Sequence, residues 1–407
     1  MVAKRATVRD MRRSNRSVLL TKIYLDGPLS RHELTQLTSL SPASVSTLVA
    51  EFLEEGLVEE AGSVESDGGR PRVLLRVAPR FGHVIGVDVG ETRVTVELFD
   101  MSMAALAKAD YPIERNKLAA ESVVRHILDG ISAVSAQAGV AHDTILGVGV
   151  AFPGVVDSGE DGLVHAQVIG WDGVPVKAML RAGTDLPIHI DNGAKTLGQA
   201  EMWFGAGRGA QDAVIALVGS GVGAAVVAGG ASYRGARSSA GEWGHTTIVY
   251  AGRECRCGAR GCLEAYVGAE GILDRYREAN RGKAAAGIDE ESAIGAIIAA
   301  ADSSKVAHKV LTETVGYLGA GIATLVNLFN PERIVLGGWA GTALGSRWLP
   351  EIRVAAAEHA LKRPYSQASI TLCELGPDAV ALGAATLPVA QLLADGGMRP
   401  VSRAPRR

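Results

Sequence analysis

Cysteine is scarce in this 407-residue chain: there are four, and three of them fall within eight positions. So sparse a set excludes the disulfide-stapled scaffold of small secreted domains. Nothing at the N-terminus reads as a secretory signal, so a reducing, cytoplasmic setting is expected. Long apolar runs are missing too, and without ~20 uninterrupted apolar residues there is no candidate membrane span. Net charge is small, −3 in total. What is present is 47% hydrophobic and 21% charged residues, the balance of a soluble globular protein. The length exceeds a single ordinary core and predicts two or three domains.

The small net charge conceals an uneven distribution. Residues 1–31 hold eight Lys or Arg against Asp10 and Asp26, a local balance of +6 that leaves −9 for the rest. A basic arm on an acidic body suits an N-terminal module that seeks phosphates. Val18, Leu19, Ile23 and Tyr24 predict a short first helix ending near Asp26-Gly27-Pro28. Ser30-Arg31-His32-Glu33 is a capping box that starts a second helix, with Leu34 and Leu37 facing inward and Ser39-Leu40 turning the chain. Ser41-Pro42 opens a third helix, a hydroxyl cap followed by proline at the first helical position. Val45, Leu48, Val49, Phe52 and Leu53 then form one apolar stripe. That stripe leaves Ser44, Ser46 and Thr47 on the outer face, where a recognition helix touches base edges and phosphates. Leu57-Val58 and Val73-Leu74-Leu75 predict two strands around Asp67-Gly68-Gly69-Arg70-Pro71-Arg72. Such a wing can put Arg70 or Arg72 into a minor groove. The pieces add up to a winged helix-turn-helix over residues 1–80, with the acidic patch of Glu51, Glu54, Glu55, Glu59 and Glu60 expected to face away from DNA.

Two later segments share one pattern: a strand, a glycine-rich turn and a returning strand. The first runs from His83 through Gly90-Glu91-Thr92 to Leu98, the second from Val214 through Gly219-Ser220-Gly221-Val222-Gly223 to Val227. Between the second hairpin and the C-terminal third lies His245-x9-Cys255-x-Cys257-Gly258-x2-Gly261-Cys262-x-Glu264. Three thiolates and an imidazole make the closed tetrahedral shell of structural zinc, one ion per chain. A disulfide is the alternative, but a Cys-x-Cys pair bridges badly.

With Gly241-Glu242-Trp243-Gly244-His245 just upstream, this run resembles the zinc-knuckle signature of the ROK family, whose members are sugar kinases and sugar-responsive transcriptional repressors. The resemblance covers about residues 12–77 and 83–387, including Asn15-Arg16 and the Gly-Arg-Pro wing, and adds Arg16 to the expected DNA contacts. It implies an α/β chain: the winged helix-turn-helix, then a two-lobed actin-like (sugar kinase/RNase H-like) ATPase fold over 81–390. Residues 391–407 are expected to be a disordered tail.

In the family's kinases the first glycine turn reads Asp-x-Gly-Gly-Thr, whereas here Glu91 replaces a glycine where phosphates would approach. Aligning Ile190-Asp191-Asn192-Gly193 through Glu201 with the kinase segment puts Gly193 at the position of the catalytic aspartate. Glycine cannot accept the sugar hydroxyl's proton. No catalytic residue is therefore expected. The sugar ligands implied by the resemblance are Asn192, Glu242, His245 through its metal-free nitrogen, Glu264, and Gly154 within Phe152-Pro153-Gly154. Glu242 and Glu264 have a plainer reading as braces of the knuckle.

Two functions compete. One is a sugar-responsive repressor of carbohydrate uptake or catabolism genes, released by a monosaccharide such as xylose or by a sugar phosphate. The other is an active sugar kinase with an appended DNA-binding domain, for which Asp191 is the nearby substitute base. The body as a ligand-free oligomerisation scaffold leaves the convergent polar residues unexplained. Partners implied are operator DNA with paired, palindromic half-sites and further copies of the chain in a homodimer or homotetramer. The apolar run from Tyr317 to Phe329 suits either that interface or a buried helix.

Overall fold

The computed structural model describes residues 7–66, 69–113, 119–157, 159, 162–166 and 169–399. Its N-terminal part comprises α1 (Val8–Asp26), β1 (Leu29–Ser30), α2 (Arg31–Thr38), α3 (Pro42–Glu54), β2 (Val58–Ser66) and β3 (Gly69–Val77). Each helix begins at a side-chain cap that accepts first-turn N–H groups: Thr7 with Asp10 for α1, Ser30 with Glu33 for α2, and Ser41 for α3. Leu19, Leu20 and Ile23 of α1 pack with Leu34 and with Val45, Leu48, Val49 and Phe52 of α3, all buried. The three strands pair antiparallel in the order β1-β3-β2. Two expectations need correction. The first helix is long, because its early turns are polar and carry no apolar stripe to betray them. Leu37 is 49% exposed rather than inward.

The body has two five-stranded sheets of one topology and a small antiparallel sheet. The first part contains β4 (His83–Val89), β5 (Arg93–Asp100), β6 (Ala105–Pro112), α4 (Ala120–Ala138), β7 (Ile145–Phe152), β8 (Val155–Val156), β9 (Val164–Ala166), β10 (Trp171–Val174), α5 (Val176–Gly183), β11 (Ile188–Asn192) and α6 (Gly193–Phe204). The second contains β12 (Ala213–Val218), β13 (Val222–Ala228), β14 (Ala231–Tyr233), α7 (Glu264–Val267), α8 (Ala269–Ala279), α9 (Glu290–Ala299), α10 (Lys305–Phe329), β15 (Arg333–Gly337), α11 (Trp339–His359), α12 (Lys362–Gln367), β16 (Ser369–Leu372) and α13 (Ala379–Ala394). Strand orders are β10-β9-β8 in the small sheet and β11-β7-β4-β5-β6 and β14-β13-β12-β15-β16 in the large ones. In each large sheet, the glycine-turn hairpin is antiparallel, while the strand on its other side is parallel. The inner parallel strands β7 and β15 are buried along nearly their whole length, as covered sheets require.

The last helix, α13, returns to the first sheet and lies along β4, β7 and α6. Gly383 permits the close approach to α6: a Cβ there would sit 2.0 Å from the Thr196 carbonyl oxygen. Leu392 and Leu393 are buried against the N-terminal helices. Beyond them Asp395 pairs with Arg13, and the Gly396 carbonyl accepts from Arg16 Nε at 2.8 Å. The expectation of a disordered tail from 391 therefore fails for 391–399, because that segment has an apolar and ionic seat on α1. The run from Tyr317 to Phe329 is a core helix, with Leu318, Ile322, Leu325 and Val326 buried and only its end, Leu328 and Phe329, open. Among the described residues no helix is long and apolar enough to cross a membrane.

Candidate functional site

A cleft of about 220 Å³ opens between the two glycine turns, lined by residues of both sheets and of the cysteine-rich segment. Its floor includes the junction where β11 becomes α6. Asn192 caps that helix, its Oδ1 accepting from the N–H groups of Ala194 (2.9 Å) and Lys195 (3.2 Å), while its Nδ2 donates to the Gly154 carbonyl at 2.6 Å. Gly154 has φ +77°, and a Cβ on it would collide with the His165 carbonyl oxygen. Asn192 thus spends most of its capacity on the protein, so it shapes the floor more than it offers hydrogen bonds. Gly193 lies beside it. A Cβ there would meet only Val380 Cγ1 at 3.7 Å and the Phe152 carbonyl oxygen at 3.9 Å. Packing around the Cβ position therefore does not force glycine at 193.

Glu242, His245 and Glu264 line the same cleft. The Glu242 carboxylate makes no hydrogen bond or ion pair among the described residues, and burial holds it above the usual carboxylate range. Behind it, Lys195 Nζ donates to the Ser238 carbonyl, and Arg234 bridges Ser238 (3.2 Å) and Asp191 (2.5 Å). The loop before Glu242 is anchored by these contacts. Glu264 is 5% exposed and accepts the Val222 N–H at 2.9 Å, tying the cysteine-rich segment to the second glycine turn. Asp191 has one oxygen on Arg234 and the other on the Asn192 N–H, so it is not presented to the cleft.

His245, Cys255, Cys257 and Cys262 bring their donor atoms within 4.8 Å of one another. Cys257 and Cys262 Sγ are 3.8 Å apart, and Cys255 Sγ lies 3.7 Å from His245 Nδ1. A tetrahedral centre with metal–sulfur bonds of about 2.3 Å has a sulfur–sulfur edge of about 3.8 Å, whereas a disulfide needs about 2.05 Å. The donor set fits a metal and not a bridge. Since Nδ1 turns to the thiols, Nε2 remains for the cleft.

Some of the surroundings were not foreseen. Arg256, between the cysteines, reaches Glu91 (2.7 Å), Glu270 (3.3 Å) and Glu264 (3.5 Å). Ser220 of the second turn donates to Glu290 at 2.5 Å, and Trp339 stands against Gly219. The spacing of Glu290 and Trp339 from any motif gave no signal, although Trp339 directly follows Gly337-Gly338.

In the N-terminal part, Ser46 and Thr47 are exposed on α3, and Ser44 is half-buried with its hydroxyl 2.9 Å from that of Ser41. Arg72 is exposed on β3. Asp67, Gly68 and the side chain of Arg70 lie outside the described residues. Arg16 requires correction as a DNA contact: its side chain is only 11% exposed, stacks 4.6 Å over Phe52 and bonds Glu51, Glu55 and the Gly396 carbonyl. Glu51, Glu55 and Glu59 are neutralised by Arg12, Arg16 and Arg76.

The xylose repressor of Caldicellulosiruptor bescii is 30% identical over 391 residues, 92% of this chain and 96% of its own. A glucokinase of Halalkalibacterium halodurans is 32% identical over 307 residues, 74% of this chain and 92% of its own. Among solved structures, a ROK family transcriptional regulator, homolog of the Escherichia coli Mlc protein, superposes with a TM-score of 0.77 at 25% identity, covering 95% of this chain and 98% of that one. With the ROK family matching residues 84–391 and relatives of both kinds aligned across the cleft, the chain belongs to the ROK family.

Proposed function

We propose that the chain is a sugar-responsive transcriptional repressor of carbohydrate uptake or catabolism genes, with a sensor derived from a sugar kinase that transfers no phosphate. The observation that carries this reading is Gly193: the position of the proton acceptor carries no side chain although the packing leaves room for a Cβ there. Asp191 offers no substitute, since both its oxygens are engaged away from the cleft. Glu91 adds a second obstacle by placing a carboxylate at the first glycine turn. The full-length likeness to a xylose repressor supports the regulatory role and makes xylose the first sugar to try.

The N-terminal part reads as a winged helix-turn-helix, with α3 as recognition helix, Ser44, Ser46 and Thr47 toward DNA, and β2–β3 as the wing carrying Arg70 and Arg72. Zinc, held by His245, Cys255, Cys257 and Cys262, supplies a rigid cross-link when bound. The chain's own groups do the sensing. Glu242, Glu264 and His245 Nε2 hold sugar hydroxyls, while Asn192 and Gly154 shape the floor. Two copies bound to a palindromic operator would place paired half-sites at a two-fold axis.

The route from cleft to DNA runs along α6. Its first turn forms the cleft floor, and its last residues, Trp203 and Phe204, pack edge-on against Tyr24 of α1 at 5.9 and 6.2 Å. Arg208 just beyond donates to the Leu25 carbonyl. A sugar-dependent shift of α6 therefore bears directly on α1, and a coupling of about 1–3 kcal/mol would change operator affinity about 5–150-fold. The test is a sugar titration of the protein–operator complex beside a coupled ATPase assay. Sugar-dependent release without ADP production is expected; sugar-dependent turnover abolished by Asp191→Asn would establish the kinase instead.

A further inference from the structure

Several polar groups of the two glycine turns are already engaged by the chain itself. At the first turn the Gly90 N–H is bonded to the Arg93 carbonyl at 2.9 Å, and Glu91 follows it. At the second, the Gly219 N–H is bonded to the Gly221 carbonyl, the Val222 N–H to the Glu264 carboxylate, and the Ser220 hydroxyl to the Glu290 carboxylate. The Gly90, Gly219 and Val222 amides, which would otherwise be available to a phosphate, are thus engaged by internal carbonyls and a carboxylate.

The charges point the same way. Among the described residues, seven carboxylates and one guanidinium line the cleft. That guanidinium, of Arg93, stands half-exposed 3.6 Å from Glu291. Arg256, the buried cation nearest the turns, is saturated by Glu91, Glu264 and Glu270 and by the Ser220 carbonyl at 3.0 Å. A phosphate entering here would meet like charge, and the two guanidinium groups nearest the turns, of Arg93 and Arg256, each already face a carboxylate. Hydroxyl groups face the opposite situation, because carboxylates such as that of Glu242 are strong acceptors for them.

We infer that the effector is an uncharged monosaccharide, and that Glu91 and Glu290 exclude phosphorylated sugars and nucleotides from the cleft. This rests on the sugar-sensor reading and narrows it to one of its two ligand classes. Arg256 holds Glu91 in place through their 2.7 Å ion pair.

Calorimetric titration of the full-length, metal-loaded protein tests this with xylose, glucose and N-acetylglucosamine, with glucose 6-phosphate and N-acetylglucosamine 6-phosphate, and with magnesium AMPPNP. One neutral sugar should bind, and any phosphate ester should bind roughly 100-fold more weakly than its parent sugar, the penalty for like charges about 6 Å apart at an effective dielectric near 20. In Glu91→Gln, and further in Glu91→Gln/Glu290→Gln, one and then two of the repelling carboxylates are removed, and the ratio of the two affinities should narrow at least tenfold. A gain of binding cannot arise from misfolding. Phosphate esters that match or exceed their parent sugars in the natural protein would overturn the inference while leaving the sensor reading intact. An unchanged ratio in both variants would overturn the role of Glu91 and Glu290. If no sugar of either class binds while operator DNA is held, the sensor reading falls and this inference with it.

Discussion

The two ends of α6 are built on opposite principles. At its start, Asn192 and Gly193 meet a polar cleft in which Glu242 keeps its acceptors unspent and a Cβ-sized space stands open at 193. At its finish, Trp203 and Phe204 close on Tyr24 in an edge-on aromatic cluster. A binding end needs groups left unsatisfied until the ligand arrives, whereas a transmitting end needs contacts that cannot give. Close-packed interfaces switch between discrete arrangements rather than deform gradually, so a small shift at one end is passed on whole. Alongside, α13 repeats the arrangement: Val380 borders the cleft, and Leu392 and Leu393 pack on the N-terminal helices.

Breaking the binding end alone should have the largest effect. Cys262→Ser removes a donor from the tetrahedral set, and the segment that presents Glu242, His245 and Glu264 loses its cross-link. We expect one zinc per chain in the natural protein by elemental analysis. The variant should lose that zinc and its sugar response while still binding operator. Retained sugar-dependent release in a zinc-free protein would detach the metal from sensing. Breaking the other end should separate binding from response. Trp203→Ala removes an edge-on partner of Tyr24, so the sugar should still bind, and the 5–150-fold change in operator affinity expected on binding should shrink toward unity. Equal loss of sugar affinity would mean that the two ends are not separable.

How far these ends were legible in the sequence follows from the range of the contacts. The Ser30–Glu33 box, the Ser41-Pro42 helix start and the two glycine hairpins are local devices, and each is found where its spacing places it. The metal-ligand set was readable for the same reason, since one short segment supplies all four donors. Arg16 misled because its partners are Glu51, Glu55 and the Gly396 carbonyl; a basic residue in a basic arm carries no mark of neutralising carboxylates 35 and 39 positions away or of a carbonyl 380 positions away. Glu290 on Ser220, Lys195 on Ser238 and the return of α13 escaped likewise, being products of tertiary closure without local periodicity.

A smaller effect should distinguish the ends by pH. Glu97, buried on β5 beside Lys108 and Asp378, is pushed up to about 7 by burial and by the Asp378 carboxylate, and burial raises Asp88 at the cleft floor to about 6. Folded values above the ordinary carboxylate range mean that the unfolded chain holds fewer protons between pH 4.5 and 7. Their contribution to stability is therefore complete at low pH and lost as pH rises through about 6 and 7. Glu33 and Glu51, in the N-terminal part, are lowered by hydrogen bonds from Ser30 and Arg12, and act in the opposite sense. Glu97→Gln should therefore stabilise the protein at pH 8 by about 2 kcal/mol, with the gain fading near pH 4.5 in denaturant titrations. A pH-independent gain would assign the effect to packing.

The smallest effect belongs to the transmitting end, and its sign is the informative part. The Tyr24 hydroxyl is buried without a hydrogen-bond partner among the described residues, beside the rings of Trp203 and Phe204. An unpaired buried hydroxyl costs about 1–3 kcal/mol, whereas the ring's edge-on contacts are independent of it. Tyr24→Phe should thus raise stability by about 1 kcal/mol and leave the sugar-dependent change in operator affinity as it was. If instead the protein is destabilised, the hydroxyl has a partner such as a bound water, and the aromatic contact is a polar joint. If stability rises but the coupling collapses, the hydroxyl is used in the DNA-released arrangement, where it finds the partner that the present one withholds. Only the first outcome is consistent with transmission by ring packing alone, and it sets Tyr24→Phe apart from Trp203→Ala: two substitutions in one cluster, one silent for signalling and the other not.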